Sequence, residues 1–196
     1  MARVKVPAII LASASPRRAE LLRSAAIPFT VDVANIAEDL HRGEKPAEHA
    51  ERLAREKAEV VAKRNPGKLV LGADTIVVVD DEILGKPRDA ADAARMLRML
   101  SGRPHEVITA VCVARLAASN QQLATCSEQT KVFFQEIAAD EIETYVATRE
   151  PMDKAGAYAI QGIASRWINK IEGDYANVVG LPVALVWKML QKFPNG

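Results

Sequence analysis

The stretch Leu69 to Asp80, LVLGADTIVVVD, limits this chain more than any other. An apolar run rich in Val and Ile, bounded by Pro66-Gly67 before it and Asp80-Asp81 after it, reads as a buried β-strand. Asp74 stands in its middle. Alternation places Val70, Gly72, Asp74, Ile76 and Val78 on one face, so the carboxylate loses its water on folding. Burying an unpaired charge is costly, and the strand therefore requires a cation beside Asp74: a metal ion, a lysine or an arginine. A plain salt bridge inside an ordinary core meets the same requirement.

The remaining composition bounds the answer without deciding it. A chain of 196 residues suffices for one large domain or two small lobes around a substantial core. With 49% hydrophobic and 26% charged residues it is not a disordered chain. A formal net charge of +1 supplies no basic field for nucleic acid, so basic residues matter by position. The opening MARVKVPAIILAS has only a short apolar run and is not read as a signal peptide. No segment reaches the ~18 apolar residues that cross a bilayer. Cys112 and Cys126 lack metal-ligand spacing and read as core thiols of a reducing compartment. A cytoplasmic protein is the expectation.

Two further stretches answer to Asp74. Ala8 to Ala12 is a short apolar strand, followed by Ser13-Ala14-Ser15-Pro16-Arg17-Arg18 and a helical pattern that stops near Ile27-Pro28. Ser15 suits an N-cap and Pro16 the first helical position. The first turn of a helix favours acidic residues, yet this one carries Arg17 and Arg18. Strand, small-residue turn, helix N-terminus and arginines together form a site for a phosphate; the alternative is that both arginines face water or a carboxylate. Phe29 to Ala34 reads as a second strand, followed by a polar loop with Glu38. Pro46 to about Lys63 is a helix with Ala47, Ala50, Leu53, Ala54 and Val61 inward. Lys57 falls on that stripe, either snorkelling outward or reaching an anion or Asp74.

Beyond the Asp74 strand, Asp80-Asp81 is a hairpin-like turn into Ile83-Leu84 and Gly85-Lys86-Pro87, which lacks the pattern of a P-loop. Asp89 caps a helix to Leu100. His105 to Leu116 and Leu123 to Phe134 read as two long central strands joined by the turn Ala118-Ser119-Asn120-Gln121. Asp140 to Thr148 is helical, and Pro182 starts a last helix. Between them Gly156, Gly162, Gly173 and Gly180 suit loops that approach a ligand, and Gln161 lies among them. The sum is a mixed α/β fold in two lobes with a cleft.

Ser13-Ala14-Ser15-Pro16-Arg17-Arg18, Arg55-Glu56-Lys57-Ala58, Gly72-Ala73-Asp74-Thr75, Gly85-Lys86-Pro87, Asp153-Lys154-Ala155-Gly156-Ala157-Tyr158 and Val179-Gly180-Leu181-Pro182 together resemble the Maf family of nucleoside triphosphate pyrophosphatases. The resemblance runs from about Ile9 to Leu190. It implies one domain over residues 1–196 with the fold of inosine triphosphate pyrophosphatases, an elongated twisted mixed sheet flanked by helices. It also implies a homodimer. The implied reaction is hydrolysis between the α and β phosphates, yielding a monophosphate and pyrophosphate, with Mg²⁺ or Mn²⁺.

The residues make sense of that chemistry. Arg17, Arg18, Lys57 and Lys86, with Ser13 in the turn, would hold a triphosphate. Asp74 and Glu38 supply the oxygen ligands a hard divalent cation prefers. Asp74 is either metal ligand or the base that activates water, and the resemblance makes it the proton acceptor. Arg17, Thr75 and Gln161 resemble the family's dTTP/UTP branch rather than its 7-methyl-GTP branch. A glutamine amide offers the donor and acceptor that the pairing edge of uracil or thymine complements. A family acidic pair is here Ala37-Glu38, with Glu38 the remaining carboxylate. The alternative function is a nucleotide-binding regulator of cell division without turnover. A nucleotidyltransferase, which uses a similar arginine-bearing loop, is a third.

Overall fold

The computed structural model describes residues 6–117 and 120–193. Met1–Lys5, part of the stretch weighed above for a signal sequence, and Ala118 and Ser119 of the expected turn lie outside them. In chain order the elements are β1 (Ile9–Leu11), α1 (Pro16–Ser24), β2 (Phe29–Val31), α2 (Pro46–Arg64), β3 (Leu69–Val79), β4 (Glu82–Leu84) and α3 (Ala90–Leu100). Then come β5 (Pro104–Ala117), β6 (Asn120–Phe134), α4 (Ala139–Ala147), β7 (Ile168–Glu172), α5 (Tyr175–Val179) and α6 (Val183–Leu190). Three 3-10 turns, Glu150–Asp153, Ala155–Ala157 and Ile163–Trp167, fill the span between α4 and β7. The strands form one mixed sheet in the order β2-β1-β3-β5-β6-β7, with β4 on β3. No helix among the described residues is long and apolar enough to cross a membrane.

The chain divides into two compact units, and the division falls inside β3 between Asp74 and Thr75. The first comprises Met1–Asp74, Thr109–Glu128 and Gly180–Gly196; the second comprises Thr75–Ile108 and Gln129–Val179. Each has its own apolar core. Leu11, Leu22, Leu71, Val113, Leu181 and Met189 centre the first. Leu84, Leu97, Leu100, Ile142, Tyr145 and Trp167 centre the second.

The first unit contains the feature that positions the site. β1 pairs in parallel with β2 on one side and β3 on the other, with Leu11 opposite both Val31 and Leu71. The chain leaves β1 through α1 to reach β2, then crosses through α2 to β3. β1 is thus a point where strand order reverses, and ligands of open α/β sheets bind outside the carboxyl ends of the strands at such points. Ser13 follows the end of β1, Glu38 lies in the loop after β2, and Asp74 lies just beyond Leu71 on β3.

Helix α2 sits close on β3 because Gly72 has no side chain. A Cβ there would stand 2.2 Å from the Ala54 carbonyl oxygen and 2.7 Å from the Ala58 backbone nitrogen. Ala50, Leu53, Ala54 and Val61 are buried as expected, whereas Ala47 is only half-buried. α1 begins as its sequence indicates, with the Ser15 side chain accepting from the Arg18 N–H at 3.5 Å. Asp89 caps α3, accepting from the Asp92 N–H at 2.8 Å. The β3–β4 turn carries Asp80 and Asp81 at φ 49° and 63°, the pairing that a tight hairpin turn demands.

Other expectations change as well. The second strand ends at Val31 rather than Ala34, because its partner β1 ends at Leu11; the Asp32 N–H takes the last bond, to the Leu11 carbonyl at 3.2 Å. β7 was not foreseen: its isoleucines are three residues apart, and the ladder to β6 shifts register between Phe133 and Phe134 to seat them. Three of the four glycines singled out beyond α4 also pack closely on the protein itself. Added Cβ atoms at Gly156, Gly162 and Gly173 would come within 2.8, 1.9 and 2.7 Å of Val77, Glu150 and Thr130. Cys112 and Cys126 are both free thiols, and burial pushes that of Cys112 up to about 11.

In the second unit His105 is buried edge-on to Phe134 and Tyr158, its Nε2 2.8 Å from the Tyr158 hydroxyl. Burial lowers its pKa to about 4, against about 6.5 in an unfolded chain. The folded state therefore binds fewer protons, and this stabilisation is complete above pH 6.5 and lost as pH falls through 4. Urea titrations should show a decline of about 3 kcal/mol over that window attributable to this group. His105→Phe should flatten that part of the profile, and an unaltered profile would exclude the assignment. Gly72→Ala should cost about 3 kcal/mol, at the upper end for overpacking because backbone is what the new methyl meets. A loss under about 0.5 kcal/mol in urea unfolding would show that α2 is free to move off β3.

Candidate functional site

The site is built where α2 crosses β3. Lys57 is buried, and its ammonium lies 2.6 Å from Asp74 Oδ1 and 2.6 Å from Glu38 Oε1. The side chains of Lys57 and Asp74 are each 9% exposed, whereas that of Glu38, on its loop, is 43% exposed. The cation that the strand requires is thus a lysine, resident on α2. It reaches Asp74 because Gly72, two residues earlier on β3, lets the helix come down beside Ala58. Coulombic gain at such a point is large only when the geometry is good, and two 2.6 Å contacts meet that condition.

Arg18 ties the turn after β1 to this cluster. Its Nη1 donates to the Ser13 hydroxyl at 3.0 Å and to the Ala73 carbonyl, next to Asp74, at 2.9 Å. Its Nε donates to the Gly180 carbonyl at 2.9 Å. The Ser15 N–H also donates to Ser13 Oγ, at 3.2 Å, which closes the turn. Burial draws the Arg18 pKa down, Asp74 opposes this, Arg17 adds to it and Glu38 opposes it. A guanidinium stays protonated regardless. Arg17 is half-buried at the second position of α1.

The loop that carries Glu38 is fastened by residues that sequence reasoning missed. Glu44 accepts from Arg52 Nε at 2.6 Å, from Arg52 Nη2 at 2.8 Å and from the His41 N–H at 3.2 Å, and it pairs with His49 Nδ1 at 2.9 Å. Arg52 Nη2 also donates to the carbonyl of Asp39, the neighbour of Glu38, at 2.9 Å. The Arg52 hydrogen bonds hold the Glu44 carboxyl far below the usual carboxylate range. The available signal was Glu44 just ahead of α2, with Glu48, Arg52 and Glu56 following at four-residue spacing, which lines opposite charges along one side of the helix.

Ser13, Arg17, Arg18, Glu38, Lys57 and Asp74 all belong to the first unit, and Thr75, Lys86 and Gln161 belong to the second. Thr75 is half-buried; Lys86 and Gln161 are exposed. Among the described residues no group of three or more His, Cys, Asp or Glu side chains gathers to hold a metal by itself. Two carboxylates meeting at one positive point fit a different pattern, in which Mg²⁺ is held by one or two carboxylates plus substrate phosphates.

Three comparisons bear on this arrangement. Residues 8–193 match the family model described as "Maf-like protein". The chain is 55% identical over 184 residues to a dTTP/UTP pyrophosphatase of Koribacter versatilis (strain Ellin345), covering 94% of this chain and 93% of the relative. It is 52% identical over 184 residues to the dTTP/UTP pyrophosphatase of Geotalea uraniireducens (strain Rf4), covering 94% of each. Among solved structures the Ham1 protein of Staphylococcus aureus aligns over 95% of this chain and all of its own, with a TM-score of 0.54 at 14% identity. That likeness carries the fold alone.

Replacing Lys57 by Met leaves Asp74 buried without its ammonium and should cost about 3–5 kcal/mol in urea unfolding. Asp74→Asn should cost less, since Lys57 keeps Glu38. The double variant K57M/D74N should regain part of what K57M loses. A double variant no more stable than K57M would show that the lysine is not what makes this carboxylate tolerable.

Proposed function

Since the chain belongs to the Maf-like family, we propose that it hydrolyses dTTP and UTP to the nucleoside monophosphate and pyrophosphate. The observation that carries this reading is the junction of Asp74, Lys57 and Glu38 just past the end of the parallel β2-β1-β3 pairing, next to an arginine-bearing helix N-terminus. Lys57 meets two carboxylates there, Arg18 lies close enough to feel both, and Arg17 stands beside Arg18 in the first turn of α1. The small positive excess of these side chains is matched to a triphosphate whose own charge is partly neutralised by a divalent cation.

Glu38 and Asp74 would hold Mg²⁺ or Mn²⁺, which when bound neutralises phosphate oxygens and polarises the phosphorus under attack. The chain's own residues account for the rest. Arg17 and Lys57 bind phosphate oxygens by charge-assisted bonds, and the positive end of the α1 dipole adds to their pull. Arg18 keeps the Ser13 turn and the strand at Ala73 in register, and acts on the anion through its charge. Asp74 accepts a proton from water as the water oxygen bonds to phosphorus of the α–β bridge; that bridge breaks and pyrophosphate leaves. The Lys57 ammonium fixes the direction from which Asp74 works, and positioning of this kind supplies much of the rate. In the second unit, Lys86 adds a further cation for the phosphates and Thr75 a hydroxyl for substrate binding. Gln161 recognises the base, its amide offering one donor and one acceptor to uracil or thymine.

Asp74→Asn should lower kcat for UTP by about 10²–10⁴-fold, the range of a general base, while UTP binding changes little. Pyrophosphate release and titration calorimetry, each with and without Mg²⁺, check this. Undiminished turnover in the variant would remove Asp74 from the chemistry. Failure of the unaltered protein to release pyrophosphate from UTP would favour a binding protein.

A further inference from the structure

In the second unit, one carboxylate lies beneath the turn that carries Gln161 and takes no part in the reaction described above. The Gly162 N–H donates to the Ala159 carbonyl at 3.1 Å, a turn with Gln161 inside it. The Ile163 N–H, on the far side of Gly162, donates to Glu150 Oε1 at 3.1 Å. The same oxygen accepts from the Tyr145 hydroxyl at 3.0 Å. Tyr145 is fully buried and stacked edge-on against Trp167, so the carboxylate is anchored to the core of its unit. The backbone of Glu150 is tied as well, its carbonyl accepting from Lys154 Nζ at 2.5 Å.

Gly162 leaves the room for this arrangement. A Cβ added there would lie 1.9 Å from Glu150 Oε1 and 2.7 Å from its carboxyl carbon. Gly162 has φ −103°, which any residue adopts, so its missing side chain serves the close approach of the carboxylate and not a special backbone conformation. Ile163, two residues beyond Gln161, is thereby hydrogen-bonded to the acid and Gly162 packs against it, while the Gln161 side chain itself is exposed.

We propose that Glu150 is a positioning residue for base selection: braced by Tyr145, it holds the Gln161-Gly162-Ile163 turn so that the Gln161 amide meets the pyrimidine in one orientation. The inference rests on the reading of Gln161 as the residue that recognises the base. A freely turning amide presents donor and acceptor in either order, and then distinguishes uracil from cytosine poorly, because the two differ in the order of those groups. Fixing the turn narrows where the Gln161 amide can sit, so that fewer of its rotamers meet the base, and preorganisation of this kind acts mainly on correct against incorrect substrate.

The test compares kcat/KM for UTP and CTP in five variants. Gln161→Ala should lower the UTP-to-CTP ratio. Glu150→Ala should lower it by roughly tenfold or more, mostly through the KM for UTP, and the double variant should fall no further than Gln161→Ala alone. Glu150→Gln should keep most of the ratio, since its amide oxygen still accepts from both Ile163 and Tyr145. Gly162→Ala offers a second route should Glu150→Ala not fold, because its methyl displaces the carboxylate and should lower the ratio as well. If Gln161→Ala lowers the ratio while Glu150→Ala and Gly162→Ala leave it intact, the positioning role is wrong. If Gln161→Ala leaves the ratio intact, the reading of Gln161 is itself wrong, and the role of Glu150 falls with it.

Discussion

The contact between Lys57 and Asp74 is the constraint on which the first unit is organised. A carboxylate inside a strand whose residues are otherwise almost all buried apolar groups needs a permanent partner or a permanent ligand. Here the partner comes from the helix that covers the strand, and it is shared with Glu38. Sharing matters. One ammonium between two carboxylates leaves an excess of negative charge at one point, whereas a simple pair would be neutral and inert. The neighbouring Arg18, whose burial is opposed electrostatically by Asp74 and Glu38, then makes the balance depend on groups a few ångströms apart. A polyanion and a divalent cation arriving together disturb such a balance less than either does alone.

Geometry of that quality depends on backbone placed without slack. Gly72 brings α2 down onto β3, and one residue along the helix from Ala58 is Lys57. Arg18 joins the turn after β1, the strand at Ala73 and the segment at Gly180 through three hydrogen bonds. The Glu44–Arg52 pair does the same for the loop bearing Glu38, through the Asp39 carbonyl and the His41 N–H. Three separate stretches of chain are thus held by charged side chains that donate to or accept from backbone. Bonds of that kind are stronger than neutral ones, and they fix direction as well as distance.

Much of this was legible from residues alone, for a physical reason. A buried acid in a β-pattern, arginines at a helix start and a lysine on an apolar stripe are each locally anomalous, and anomalies of charge are what a sequence displays most plainly. Helix starts were equally legible, since Ser15 and Asp89 carry their caps in their own side chains. What was hidden depends on partners far along the chain. The true end of β2 is set by the length of β1, and β7 exists only because β6 bends to take it. The role of Arg18 was only half visible: its position announces an anion, but two of its acceptors, at Ala73 and Gly180, lie in other segments.

The glycines of the C-terminal third show what composition leaves open. Gly156, Gly162 and Gly173 do mark close approaches, as their frequency implied, but what approaches is Val77, Glu150 and Thr130. A missing side chain reports that space is needed and is silent on who needs it. Thr130 in turn accepts from the Asp174 N–H and from the buried Asn177 amide, and Asn177 donates also to the Val107 carbonyl. The loops of the second unit are therefore packed onto its strands through polar side chains that enter glycine-made gaps. A loop braced in that way can present an exposed residue such as Gln161 with the precision of a strand, which is what recognition by a single amide requires.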